Sequence, residues 1–329
     1  MNKNIKIILN YVIGPLVFCL LAWSIYHQLQ RQPNWKESFR HIRHALTGPG
    51  IWKLWVAIIL MLVNWGIEAR KWQVVIRRIQ PISFLQSWKA IFTGTTMAFF
   101  TPNRIGEYVG RILYIEDNKR IQAISLTIVC SIAQLLVTLL AGLGALLYMK
   151  NVIAAKQPAD VSLLFWINAL LWITALGTLI LTLFYFRLAW LVKWIEKIPR
   201  IERFVRHIRV LDSFNATILL HILSLSVARY LVFIGQYYLL FAVFDVSLTP
   251  GQVFASIGVV FLVLAVVPTI AVITELGVRW KASIELVQFF STNTWGVLAT
   301  SLSVWVINLV IPALIGSLLI LGIRIFRNR

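Results

Sequence analysis

Long apolar runs alternate along the chain with short segments rich in Lys and Arg. The runs cover residues 7–26, 54–67, 121–149, 163–186, 216–244 and 295–323. A helix rising about 1.5 Å per residue needs about 20 residues to cross a hydrocarbon core of roughly 30 Å, so the pattern predicts about six membrane crossings. The first run follows Lys3 and Lys6 and continues into His27, Gln28 and Arg31 without a small-residue cleavage site, as an uncleaved signal anchor would. Beyond it, Trp35, Phe39, Ile42 and Leu46 recur at helical spacing among basic residues, the pattern of an amphipathic helix lying in the interface.

Two stretches break this plan in the same way. Residues 88–100 are apolar but short and rich in Gly and Thr; they stop at Thr101-Pro102-Asn103 and resume as Arg104-Ile105-Gly106-Glu107, continuing to Arg111. Residues 253–267 stop at Pro268 and resume as Glu275-Leu276-Gly277-Val278-Arg279-Trp280-Lys281. Proline inside an apolar run removes a backbone donor, which is tolerable at membrane depth only where protein or a wet cavity meets the freed groups. Both stretches are therefore expected to be re-entrant helical hairpins, with Pro102, Gly106, Pro268 and Gly277 marking the breaks. Pro102 precedes Pro268 by 166 residues and Glu107 precedes Glu275 by 168, the signature of an internal repeat. Counting crossings gives the two units opposite orientations. The expected fold is thus an all-α polytopic membrane protein with an inverted-topology repeat, a transporter plan; a static duplicated scaffold is the alternative.

Composition narrows the class further. Hydrophobic residues make up 59% of the chain, charged residues 13%, and the mean hydropathy is +0.81, leaving no soluble domain of any size. The formal net charge is +19, yet the cations lie between apolar runs rather than on one soluble face, so nucleic acid is not the expected partner. Placing the amino terminus inside puts 21 of 31 Lys and Arg residues in cytoplasmic segments, including Arg70, Lys71 and Arg111 and the cluster between residues 187 and 212. Both termini are then cytoplasmic and the protein is multi-pass in a cytoplasmic (inner) membrane. Cys19 and Cys130 fall within apolar runs and read as small hydrophobes.

Some charges fall where hydrocarbon makes them expensive. An ionisable side chain near the bilayer centre costs about 2.5 to 3.5 kcal/mol, so each must be paired or hydrated. Glu107 with Arg111 and Glu275 with Arg279 stand four apart, the spacing of an ion pair on one helix face. Arg229 lies midway along its run with no acid within one turn, and Glu107 or Glu275 would serve as its partner. A guanidinium also matches phosphate oxygens. The expected substrate-binding set is Arg104, Glu107, Arg111, Arg229, Glu275, Arg279 and Lys281. Gly106 and Gly110 suit close helix packing. His41 and His44 lack a third ligand, and no phosphate-cradling loop or nucleophile motif occurs, so no metal, cofactor or catalytic residue is expected. Glu107 and Glu275 as proton donor and acceptor remain an alternative chemistry.

The residues Glu68-Ala-Arg70-Lys-Trp72, Thr101-Pro102-Asn103-Arg104-Ile105-Gly106-Glu107 and Pro268 with Glu275-Leu-Gly277 resemble the lysylphosphatidylglycerol synthase/flippase transmembrane family, over about residues 10–320. The resemblance implies translocation of lipids, aminoacylated in the best-known members and lipid-linked sugars in others. No segment resembles the soluble aminoacyl-transfer domain of the lipid-modifying members, so only the flippase half is implied. The expected organisation is a signal anchor with an interfacial segment (1–50), a first repeat (51–150), a connecting span with a basic cytoplasmic loop (151–212) and an inverted second repeat (213–329). The leading reading is a flippase for a lipid with an anionic headgroup. A membrane-embedded lipid transferase and a non-catalytic partner of a cell-envelope glycosyltransferase are the rivals. A second copy of the chain or cell-envelope biosynthesis enzymes are the expected protein partners.

Overall fold

The structure, a computed structural model, describes residues 50–101, 104–155, 161–187, 214–267 and 272–321, with Trp23 and Leu211. All regular elements among them are helical. In chain order they are α1 (Ile51–Ile76), α2 (Phe84–Phe99), α3 (Gly106–Ile112), α4 (Arg120–Ala154), α5 (Val161–Phe186), α6 (Ala216–Val243), α7 (Pro250–Val266), α8 (Val272–Val287), α9 (Thr294–Trp305) and α10 (Ile311–Leu321). A single 3-10 turn, Asp117–Lys119, leads into α4, and a π turn, Val306–Val310, joins α9 to α10. Five of the described helical runs are long and apolar enough to cross a membrane. All but Trp23 of the expected signal anchor, nearly all of the interfacial segment, Pro102, Pro268, the carboxyl-terminal arginines and most of the basic stretch between α5 and α6 lie outside the described residues.

Local chemistry sets the helix starts. Ser83 Oγ accepts from Gln86 N while Gln86 Oε1 accepts from Ser83 N, a reciprocal cap that starts α2 four residues ahead of the predicted run. Thr249 and Gln252 make the same cap for α7, with Pro250 at the first helical position, where its missing N–H costs nothing. Asn215 caps α6 and Asn293 caps α9 through their side-chain oxygens. The breaks fall beside the two prolines, with α2 ending at Phe99 and α7 at Val266. Gly277 is not a break: it sits inside α8, and nothing lies within 4 Å of a Cβ built there. Gly106 opens α3, facing the backbone of Met97.

Packing follows from the small residues. α3 folds back onto α2, where a Cβ on Gly110 would lie 2.5 Å from Gly94 Cα and 2.7 Å from Thr93 O; only two glycines let these backbones meet. α1 lies along α6, α2 against α10, and α7 against α4, so each short helix that ends beside a proline is held by a helix distant in the chain. Thr96 Oγ1 donates to Ala313 O at 2.6 Å across the α2–α10 contact. Trp72, Tyr237 and Phe241 fill the centre of the main apolar core. α5 buries Thr174, Thr178 and Tyr185 but presents Trp166, Trp172 and Leu179 outward, the surface of a helix facing lipid.

Candidate functional site

The α1 helix runs well past residue 67, where the apolar run ends, and its continuation carries the centre of the site. Asn64, Glu68 and Lys71 recur at the four- and three-residue spacing of one helix face, and all three are buried. Glu68 Oε2 accepts from Lys71 Nζ at 2.7 Å and from Arg229 Nη1, on α6, at 2.9 Å. Its Oε1 accepts from Arg111 Nη2, on α3, at 3.1 Å. One carboxylate therefore joins three elements. Arg111 also donates to Glu107 one turn back on α3, and Glu107 lies 3.7 Å from Arg104. Arg229 Nε donates to Asn64 Oδ1 at 2.8 Å, and its guanidinium lies over the rings of Trp65 and Phe233.

Arg229 sits about 20 Å of helix from either end of α6, too far to reach a membrane surface. Its partner is Glu68 rather than Glu107 or Glu275. Glu275 is occupied by Arg279 at 2.7 Å, and Arg279 Nη1 donates to Tyr237 OH at 2.8 Å, tying α8 to α6. Lys71 and Arg111 were both counted with the cations of the cytoplasmic segments, and Arg111 also as the partner of Glu107; both are about 1% exposed and belong to this network. A positive count between apolar runs cannot tell a loop cation from one that has a buried acid one turn away.

Between these groups lies a cleft of about 320 Å³ lined by Arg104, Arg229, Glu275 and Arg279, with Gln134, Thr138, Tyr230, Phe233 and Phe261. A smaller cavity of about 70 Å³ adjoins it and shares Arg104, Arg229, Glu275 and Arg279, with Trp65, Trp305 and Asn308 closing its far side. Arg104 adopts φ 59°, in the left-handed region, at the turn between α2 and α3. That strained conformation is worth about 1–3 kcal/mol and is held by the hairpin around it; the side chain, 35% exposed, lines both cavities. Of the residues expected to bind substrate, Arg104, Arg229, Glu275 and Arg279 line the cleft. Glu107 and Arg111 stand behind it, holding Arg104 and Glu68. Lys281 is exposed on α8 and lines neither cavity.

Sequence reasoning missed Glu68, Lys71 and Tyr237 as members of this network, and Trp305 as part of the lining of the smaller cavity. The signal present was the buried-face spacing of Asn64, Glu68 and Lys71. Among the described residues the network brings five cations, Lys71, Arg104, Arg111, Arg229 and Arg279, to three carboxylates, Glu68, Glu107 and Glu275, a surplus of two positive charges.

No curated protein matches the chain. A family model described as lysylphosphatidylglycerol synthase TM region matches residues 7–316. With that match running over nearly its whole length and a set of membrane-crossing helices around a cationic cleft, the chain belongs to the lysylphosphatidylglycerol synthase TM region family, as a multi-pass membrane protein with a lipid-related function.

Proposed function

We propose that the protein is a flippase that carries a lipid with an anionic, phosphate-bearing headgroup between membrane leaflets, and that the cleft lined by Arg104, Arg229, Glu275 and Arg279 receives that headgroup. The observation that carries this reading is the charge surplus inside a space large enough for a headgroup. Buried cations without full compensation are costly in hydrocarbon, and a phosphate supplies the missing charge with oxygens suited to guanidinium forks. Arg229, Arg279 and Arg104 converge on the cleft from α6, α8 and the α2–α3 turn, so the headgroup meets both halves of the chain at once.

The two halves are read as an inverted repeat whose hairpins re-enter the membrane without crossing it. Three features support this. The reciprocal caps that start α2 and α7 stand 166 residues apart, the same offset as Pro102 and Pro268. The helices α1 and α6 pack on each other, and each hairpin helix packs on the closing helix of the opposite half. Antiparallel halves of this kind alternate access to one site by rocking against each other. In this reading both termini face the cytoplasm, in the inner membrane, and a second copy of the chain or a cell-envelope biosynthesis enzyme is the protein partner.

Proteoliposomes test the transport. Purified protein reconstituted with a headgroup-labelled anionic phospholipid should expose that label to an impermeant quencher faster than protein-free vesicles do. Arg229→Gln should fold, because Glu68 keeps Lys71 and Arg111, but should lose most of this exchange; Arg229→Lys should recover part of it, since one ammonium replaces a fork. A folded Arg229→Gln protein that moves lipid at the parental rate overturns the headgroup role.

A further inference from the structure

The small cavity beside the cleft holds polar atoms that the ion-pair network does not use. Trp65, Trp305 and Asn308 line it, all at least nine-tenths buried. Among the described residues, Trp65 Nε1, Trp305 Nε1 and Asn308 Oδ1 have no hydrogen-bond partner. Three residues that line one space thus carry two N–H donors and one carbonyl acceptor without partners, and orphaned buried polar atoms are costly enough that a site which keeps three of them invites a ligand. Their placement is fixed. Asn308 Nδ2 donates to Val304 O at 3.1 Å, which leaves Oδ1 as the free acceptor. Trp305 packs on Phe99 with ring centroids 6.1 Å apart, and the π turn that begins directly after it carries Asn308. Extra-residue turns of this kind are frequent at functional sites because they re-aim side chains out of helical register.

The chemistry of these groups is that of hydroxyl recognition. Indole N–H groups donate to a hydroxyl oxygen and the Asn308 carbonyl accepts a hydroxyl proton, while the flat indole faces cover the carbon skeleton. An ammonium is disfavoured by its surroundings. Arg104, Arg229 and Arg279 line the same cavity, and all three carboxylates of the network are already engaged by cations, Glu68 by three, Glu107 by Arg111 and Glu275 by Arg279. At about 70 Å³ the cavity takes several water-sized groups, enough for the hydroxyls of a small alcohol next to the cations of the main cleft.

We propose that this cavity is a subsite for the alcohol of a phosphodiester headgroup, one that carries further hydroxyls, such as glycerol or a sugar, and no amine. The proposal rests on the phosphate reading of the main cleft and adds to it the class of lipid that the protein selects. Trp65, Trp305 and Asn308 would then set specificity, while the arginines hold the phosphate.

The test compares lipids of equal charge. Detergent-solubilised full-length protein is titrated with short-chain phosphatidylglycerol and with phosphatidylmethanol, which has the same single phosphodiester charge but no hydroxyl, and the rise in Tm is read against lipid concentration. Phosphatidylglycerol should act at about tenfold lower concentration, and phosphatidylethanolamine should be the weakest of the three. Trp305→Phe, which keeps the ring and removes the N–H, and Asn308→Leu should raise the phosphatidylglycerol requirement to that of phosphatidylmethanol and leave phosphatidylmethanol unmoved. Equal action of the two lipids on the unaltered protein overturns the hydroxyl subsite and leaves the phosphate site standing. No shift with any anionic lipid overturns the phosphate reading itself. Variants that weaken both lipids alike mark Trp305 and Asn308 as structural only and overturn the subsite. Deacylated glycerophosphoglycerol acting as well as the whole lipid overturns the assignment to a lipid.

Discussion

Replacing Glu68 by Gln removes one negative charge from three buried cations at once, and the structure shows how unequal the consequences are. Arg111 keeps Glu107, and Arg229 keeps Asn64 along with partial exposure to the cleft. Lys71 is left with Gln134 and Ser226, both at 3.5 Å, in a site 1% exposed. Breaking a buried pair by removing one partner costs about 3–5 kcal/mol, most of it the penalty of the stranded charge. With Lys71 as the stranded group, the expected loss is one such increment rather than three. At about 2 °C per kcal/mol for a long chain, Tm should fall by about 6–10 °C in thermal unfolding followed by tryptophan fluorescence in detergent. The double variant Glu68→Gln with Lys71→Met should regain more than half of that loss, because Met fills the same space without a charge. An unchanged Tm in Glu68→Gln, or no recovery in the double variant, would refute the claim that Lys71 depends on Glu68.

The seam between α2 and α3 gives a second expectation: Gly110→Ala should lower Tm by an amount equivalent to about 1–3 kcal/mol, since a Cβ there meets the backbone of Gly94 and Thr93. Gly277→Ala, with open space around it inside α8, should instead raise stability by up to about 1 kcal/mol, and a fall would place an unseen neighbour there. Opposite orientation of the halves is tested by single cysteines in a cysteine-free background. Ser247→Cys, in the α6–α7 connection, should react with an impermeant reagent in intact cells and Pro81→Cys, in the α1–α2 connection, should not; labelling of both from one side would end the inverted-repeat reading.

The helix plan was legible because its causes are local. Apolar length, Pro102 and Pro268, and the four-residue spacing of Glu107 with Arg111 and of Glu275 with Arg279 each act within one or two turns, and the helices and pairs stand where those signals fall. The centre of the charge network was not legible for the opposite reason. Glu68 and Lys71 follow the end of an apolar run, where sequence alone reads a loop; their burial is conferred by Arg111 and Arg229, distant in the chain. Arg229 announced that it needed an acid, but three helices had to be placed before the acid could be named. Asn308 stood out only as one of several amides within apolar runs, and Trp305 carried no signal, because a π turn leaves no mark in hydrophobic periodicity.

That π turn has a thermodynamic consequence. Two halves that trade roles perfectly would give inward- and outward-facing conformations of equal free energy, each occupied half the time. The turn lies between α9 and α10, while α4, its counterpart under the proposed inverted repeat, runs 35 residues without interruption. Trading roles therefore exchanges unlike structures, and a gap of a few kcal/mol between them would leave the less favoured one populated at about 0.1–10%. In the proposed transport cycle the protein would wait facing one side of the membrane, and cargo that binds the rarer state more tightly would turn it toward the other.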